Sequence, residues 1–160
     1  MDQITPDLLQ FGRRRPGLDY PARPCVYGIA AGFDGRLAIA RIGAEAPFEY
    51  DLPGGGIDPG ETEEQALERE FREETGLLVR AGLTIVRAAQ YWVKPGFSPR
   101  NAVSSFRICR LAGDAGGGIE ADHHLVWLEP LSAALAMRHD AHAWAILSWM
   151  RAQPPDGGGA

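Results

Sequence analysis

Residues 55–77 read GGIDPGETEEQALEREFREETGL, and the rest of the chain is understood from this stretch outward. Its second half has the grammar of a helix. Thr62 and Gln65 stand at capping-box spacing, residues 66–74 are mostly good helix formers, and Gly76 falls where a left-handed residue closes a last turn. At 100° per residue Leu67 and Phe71 make an apolar stripe, and Glu70, Glu73 and Glu74 share about 100° of arc beside it. Carboxylates so placed repel, each pair costing roughly 0.2–0.5 kcal/mol, and the helix dipole disfavours Glu73 and Glu74 in the last turn by a similar amount. Arg69, four residues before Glu73, neutralises only part of this. Either the face is simply solvated, or it collects a hard divalent cation, which takes such oxygens together with waters and substrate phosphates.

The same stretch explains the charge of the whole protein. Residues 61–77 hold seven glutamates against Arg69 and Arg72, a sum of -5, while the other 14 acidic and 14 basic residues cancel. Nothing in that balance draws the chain to nucleic acid or anionic lipid, so no strong nucleic-acid signal is present. With 160 residues, 45% hydrophobic and 23% charged, the composition is that of a folded globular chain rather than a disordered, collagenous or coiled-coil one. No apolar run approaches the ~20 residues that cross a bilayer. Asp2 and Asp7 precede Arg13, Arg14 and Arg15, the reverse of a secretory signal, so the expected compartment is cytoplasmic, away from any membrane. Cys25 and Cys109 lack CxxC spacing and read as buried thiols.

Upstream of the helix, residues 24–32 and 36–42 are apolar segments separated by Phe33-Asp34-Gly35, a hairpin signal, and residues 48–52 form a short third strand entering the glycine run. The run is no Walker loop, because no Gly-Lys-Ser/Thr follows. Downstream, residues 83–93 and 102–111 read as longer strands, 114–118 as a flexible loop, and 125–128 as a short strand. Residues 132–137 and 139–150 read as helices, and 154–160 as a disordered tail. The expected architecture is a single α+β domain over residues 1–153, layered and with mixed sheets. The pairs His123/His124 and His139/His142 show no zinc spacing and read as surface or packing residues.

Gly55, five residues, Glu61, seven residues, then Arg69-Glu70-Phe71-Arg72-Glu73-Glu74-Thr75-Gly76-Leu77 resembles the Nudix box, GX5EX7REUXEEXGU with U apolar, at every specified position. That resemblance implies a Nudix-type α/β/α sandwich and hydrolysis of a nucleoside diphosphate linked to another moiety, with Mg²⁺ or Mn²⁺ as cofactor. It assigns Glu70, Glu73 and Glu74 to metal binding and base catalysis, and Arg69 to orienting a glutamate. A backbone carbonyl of Gly54 or Gly55 joins the metal shell, and Glu61 supports loop and helix. A further acidic ligand is expected before the late strand, with Glu120 the candidate and Asp122 and Glu129 behind it. Arg23 is the candidate phosphate contact, and Tyr91, Trp92 and Phe97 offer faces on which a base could stack. The implied partner is a small nucleotide, foremost a nucleoside triphosphate, oxidised or not, as in the MutT-like subgroup. ADP-ribose or a nucleotide sugar is the alternative, and a non-catalytic nucleotide sensor the reading from another class. Assembly as a homodimer stays open.

Overall fold

The computed structural model describes residues 8–94, 96 and 98–153. Eleven elements follow in order: β1 (Leu9–Phe11), β2 (Ala22–Ala30), β3 (Leu37–Ile42), β4 (Glu49–Asp51), β5 (Gly54–Gly56), α1 (Glu63–Thr75), β6 (Leu77–Trp92), β7 (Arg100–Asp114), β8 (His123–Leu128), α2 (Pro130–Ala136) and α3 (Asp140–Ala152). Five strands form a mixed sheet in the order β1-β6-β7-β2-β5, and three form an antiparallel sheet in the order β4-β3-β8. Within the larger sheet β2 runs parallel to β7, and the glycine strand β5 closes the edge antiparallel to β2, pairing Val26 with Gly55 and Tyr27 with Gly54.

Side-chain alternation along β2 divides the interior in two. Val26 and Ala30 join Ala38, Leu67, Phe71 and Cys109 beneath α1, whereas Ile29 joins Leu37, Ile39, Leu52, Phe106 and Ile146 beneath α2 and α3. Both cores draw on both sheets, which makes the α/β/α sandwich. Gly28 marks a close approach of β2 to α1: a Cβ there would stand 2.6 Å from the Phe71 ring and from Cys109 Sγ. Cys25 and Cys109 are buried free thiols, as their apolar settings imply. Among the described residues no helix is long and apolar enough to cross a membrane.

Helix α1 forms as its sequence dictates. Gln65 N–H donates to Thr62 Oγ1 at 3.1 Å, Thr62 N–H donates to Gln65 Oε1 at 3.0 Å, and Gly76, at φ 75°, donates its N–H to Arg72 O. The strand pairing corrects the local reading in three places. Phe33-Asp34-Gly35 does turn the chain, but β2 and β3 enter different sheets and meet only at the bridge Ala31–Leu37. β2 is apolar on both faces and takes an interior place beside β7, so a hairpin partner is not what it lacks. The glycine run is itself a strand, and β6 starts at Leu77 rather than 83, crossing register shifts around Ala81 and Thr84. The tail at 154–160 lies outside the described residues.

Candidate active site

Burying Leu67 and Phe71 fixes the rotation of α1 and turns Glu70, Glu73 and Glu74 toward the glycine strand. Their side chains are 13%, 32% and 10% exposed, so the cluster runs from the surface into the protein. Glu74 Oε2 accepts a hydrogen bond from Gly54 N–H at 3.2 Å. Gly55 lies against Glu70, where a Cβ would come within 2.9 Å of the carboxyl carbon, so only glycine admits that carboxylate to the backbone. Burial pushes the Glu74 carboxyl well above the usual range, and the neighbouring Glu70 adds to it; burial also raises Glu70, against the pull of Arg69.

Arg69 ties the loop to this cluster. Its Nε and Nη2 donate to the two oxygens of Glu61 at 2.6 and 3.0 Å, and Nη1 donates to Glu70 at 2.9 Å and to Glu73 at 3.3 Å. Glu61 also accepts from Asp58 N–H, and the bond from Arg69, with that one, holds its carboxyl down at about 2. One guanidinium therefore orients two carboxylates of the cluster while anchored on a third outside it.

Glu120 arrives from the opposite direction. The segment before β8 docks on the end of α1, with Ile119 and Glu120 both donating their N–H groups to Glu73 O, at 2.7 and 3.0 Å. Two N–H donors thus meet a helix-end carbonyl, and the segment that follows the loop at 114–118 is pinned to α1. Ligand atoms of Glu70, Glu73 and Glu120 lie within 4.8 Å of one another, and so do those of Glu74, Glu120 and His123. His123, read from the sequence as a surface or packing residue, stands inside the acidic cluster; a histidine three residues after a candidate ligand was the only available signal. Asp122 accompanies it on Nδ1 at 2.9 Å. A set of four carboxylates offset by a single arginine suits a hard divalent cation such as Mg²⁺ or Mn²⁺.

Beside the cluster opens a cleft of about 250 Å³, whose lining includes Gly54, Gly55, Gly56, Glu70, Glu74 and His123 together with the basic Arg23, Lys94, Arg100 and Arg138 and the Trp92 ring, the Arg23 guanidinium lying against Gly56. Among the described residues the Arg23 side chain makes no hydrogen bond or ion pair, and neither does that of Arg100, whose guanidinium carbon lies 4.8 Å from the Trp92 ring centroid. Trp92 also receives Arg138 at 4.9 Å and the edge of His139 at 5.0 Å. Tyr91 does not line this cleft. Strand alternation turns it away from Trp92, and it packs edge-on against Tyr20 at 5.1 Å, off the cleft. Phe97 lies outside the described residues.

The cleft floor is a network that the sequence did not announce. Asp51 is buried and accepts from Arg138 Nε at 3.1 Å and from Nη2 at 2.7 Å, while Arg138 Nη1 donates to Glu49 at 2.6 Å. His142 Nδ1 accepts from Leu52 N–H at 3.2 Å, and burial pushes this ring down to about 3, so it is neutral. Burial works against the charge on Asp51, yet its carboxyl sits below the usual range because His142 and the Arg138 fork face it. With the ring neutral, the guanidinium carries that effect.

A model of the NUDIX domain matches residues 21–150. The chain belongs to the NUDIX family. Among curated relatives, the RNA pyrophosphohydrolase of Baumannia cicadellinicola subsp. Homalodisca coagulata is 37% identical over 76 residues, which cover 48% of this chain and 46% of that protein. The RNA pyrophosphohydrolase of Caulobacter vibrioides (strain NA1000 / CB15N) is 34% identical over 84 residues, 51% of this chain and 47% of that protein. The chain thus spans about half the length of the curated relatives it matches. Among solved structures, a NUDIX hydrolase from Nitrosomonas europaea shares the fold with a TM-score of 0.66 at 16% identity, covering 86% of this chain and 99% of that one. In this NUDIX chain the box is residues 55–77, and α1 with its glycine strand is the structure that the box builds.

Proposed function

We propose that this NUDIX chain is a metal-dependent pyrophosphohydrolase that cleaves a phosphoanhydride bond in a nucleoside diphosphate linked to another moiety, foremost a small nucleoside triphosphate. The observation that carries this reading is the meeting of both charges in one cleft. Glu70 and Glu74 of the carboxylate cluster line it together with Arg23 and Arg100, which have no carboxylate partner among the described residues, and the Arg23 guanidinium lies against Gly56. Polyphosphate carrying a divalent cation is the ligand that such a cleft would take.

Glu70, Glu73, Glu74 and Glu120 would hold Mg²⁺ or Mn²⁺, with a carbonyl of Gly54 or Gly55 beside them. When bound, the ion neutralises phosphoryl charge and lowers the pKa of a coordinated water. The chain's own residues do the rest. Arg69 holds Glu70 and Glu73 in place, and Arg23 and Arg100 meet phosphoryl oxygens as charged donors. Water oxygen adds to phosphorus, the anhydride P–O bond breaks toward the leaving phosphate, and a cluster carboxylate takes the water proton. Trp92 offers a ring to the base.

A second reading, removal of phosphate from the 5′ end of a polyphosphorylated RNA, is favoured by one feature. A groove lined by Pro21, Ala22, Arg23, Ser98, Pro99 and Arg100 shares both arginines with the cleft, and it would offer a chain contacts beyond the first nucleotide. The names of the curated relatives point the same way. Incubation with Mg²⁺ and a panel of nucleoside triphosphates, oxidised nucleotides, ADP-ribose and a 5′-triphosphorylated oligonucleotide separates the two. Release of pyrophosphate from free nucleotides, lost in Glu70→Gln, is the expected result. Turnover confined to the oligonucleotide would select the second reading, and binding without turnover across the panel would refute both.

A further inference from the structure

We propose that the end of the larger sheet beside the cleft binds a single-stranded polynucleotide, with Arg13, Arg14 and Arg15 holding phosphodiesters downstream of the nucleotide whose 5′ phosphates occupy the cleft. The proposal rests on the second reading above and adds to it a surface outside the cleft. Its basis is strand order. The sheet runs β1-β6-β7-β2-β5. β1 and β6 are parallel and pair Phe11 with Gln90, so both finish at this end; β7, antiparallel to β6, and β2, parallel to β7, both start there. Each of these four neighbouring strands delivers a cation to it: Arg13, Arg14 and Arg15 just after β1, Lys94 two residues past β6, Arg100 as the first residue of β7 and Arg23 as the second of β2. Three interstrand spacings of about 4.8 Å make a row about 14 Å long. It ends at the cleft, where the Arg23 guanidinium lies against Gly56.

Little acid offsets the row. Residues 75–113 contain no acidic residue and residues 8–23 only Asp19, and on the β5 side Asp58 is tied to Arg69 at 3.6 Å. The chain's total of -5 hides this, because its excess acid lies at 61–77. Arg13 and Arg15 are exposed, and among the described residues neither side chain makes a hydrogen bond or ion pair. Arg14 is placed by aromatic rings: its guanidinium carbon lies 5.8 Å from the centroids of both Tyr20 and Tyr91, which meet edge to face, and Tyr20 Oη accepts from Arg15 N–H at 3.1 Å. Tyr91 and Trp92 are neighbours on opposite faces of β6, so Arg14 stands on one face and Arg100, over Trp92, on the other. A chain leaving the cleft at Arg100 therefore crosses the sheet end to reach Arg14, and the groove formed by residues 21–23 and 98–100 lies at the same strand starts. A flexible single strand follows such a turn; a duplex, stiff over about 150 base pairs, does not. Arginines and tyrosines so placed hold phosphates and base faces without reading sequence.

Fluorescence anisotropy of the full chain with labelled strands of about 12 nucleotides bearing a 5′-hydroxyl, RNA and DNA of one sequence, tests the surface independently of hydrolysis. Five arginine–phosphate contacts give a slope of about -3.5 in log affinity against log salt, a loss of about a hundredfold between about 50 and 200 mM. In Arg13→Ala/Arg14→Ala/Arg15→Ala two contacts remain, the slope falls to about -1.4 and the loss to about sevenfold. The wild-type slope decides on its own if the variant does not fold, since the two cleft arginines alone give about -1.4. Equal affinity for RNA and DNA is expected from phosphate contacts, and a preference for RNA would name it as the strand held. A wild-type chain that ignores the 5′-hydroxyl strands, or a variant with an unchanged slope, overturns the surface; hydrolysis of a 5′-triphosphorylated strand by the same preparation would then leave the second reading standing. Neither binding nor hydrolysis of that strand overturns the two together. Duplex DNA or phosphatidylserine vesicles bound as tightly as the single strand would make this a general polyanion patch and overturn the proposal.

Discussion

Replacing Arg138 by methionine should destabilise the protein by about 3–4 kcal/mol at neutral pH, within the range for removing one partner of a buried ion pair. The Asp51 side chain is 12% exposed and that of Arg138 19%, and the pair is held by Nε and Nη2 together. Methionine keeps an aliphatic stem of similar length but removes the guanidinium, and with it both the fork on Asp51 and the cation–π contact with Trp92. Asp51 is left buried with a neutral His142 for company. In the wild type the Asp51 carboxyl lies below its unfolded value, so its contribution is complete above that value and is lost as pH falls through the folded one. In the variant, burial without a cation raises the same carboxyl, and the penalty is relieved as pH falls through that raised value. The difference between the two proteins should therefore be widest near pH 7 and narrow in acid. Urea unfolding at several pH values measures it, with the midpoint at pH 7 falling by about 1.5–2 M for a slope near 2 kcal/mol per molar. The double variant Asp51→Leu with Arg138→Met should recover most of the loss, since a well-packed apolar pair often replaces a buried ionic one at little cost. A loss below about 1 kcal/mol in Arg138→Met, or a double variant as unstable as the two singles added, would refute the account of the cleft floor.

Two further outcomes follow from geometry already given. Gly28→Ala should cost about 1–3 kcal/mol by overpacking, read as a lowered melting temperature, because its Cβ meets Phe71 and Cys109 at 2.6 Å; an unchanged temperature would mean that α1 is not seated tightly on β2. Millimolar Mg²⁺ should raise the wild-type melting temperature by mass action and leave the Glu70→Gln/Glu74→Gln double variant unmoved, and an equal rise in both would place the ion elsewhere.

What was legible in the sequence is what local chemistry decides. The capping box at Thr62, the left-handed Gly76 and the apolar stripe of Leu67 and Phe71 each act within a few residues, and α1 follows them. Strand partners are decided at a distance. The turn at Phe33-Asp34-Gly35 is real, yet nothing nearby says that β2 will pair with residues 101–109 rather than with β3. The glycine strand carries no β-propensity at all; it forms because β2 supplies a ladder and because Gly55 alone admits Glu70. Asp51 and Arg138 are 87 residues apart, beyond any spacing rule. The aromatic pair Tyr91-Trp92 marks a site edge, but alternation sends one ring to the cleft and the other away, and the register that chooses between them is tertiary.

The placement of the carboxylates then has a physical sense that spans all three segments. A helix C-terminus is the least favourable end for Glu73 and Glu74, and the fold answers only part of that cost. Ile119 and Glu120 satisfy the exposed carbonyl of Glu73 with two N–H groups, Gly54 gives Glu74 one more, and Arg69 spreads its charge over Glu61, Glu70 and Glu73. Yet the docking of that same segment adds Glu120 and so increases the negative charge that it helps to cap. A chain selected for stability alone would have brought lysine there. The unoffset charge therefore favours a cation, beside a cleft where Arg23 and Arg100 favour anions. Among the described residues no protein group satisfies either, and on the function proposed above an ion carried with a polyphosphate would satisfy both at once.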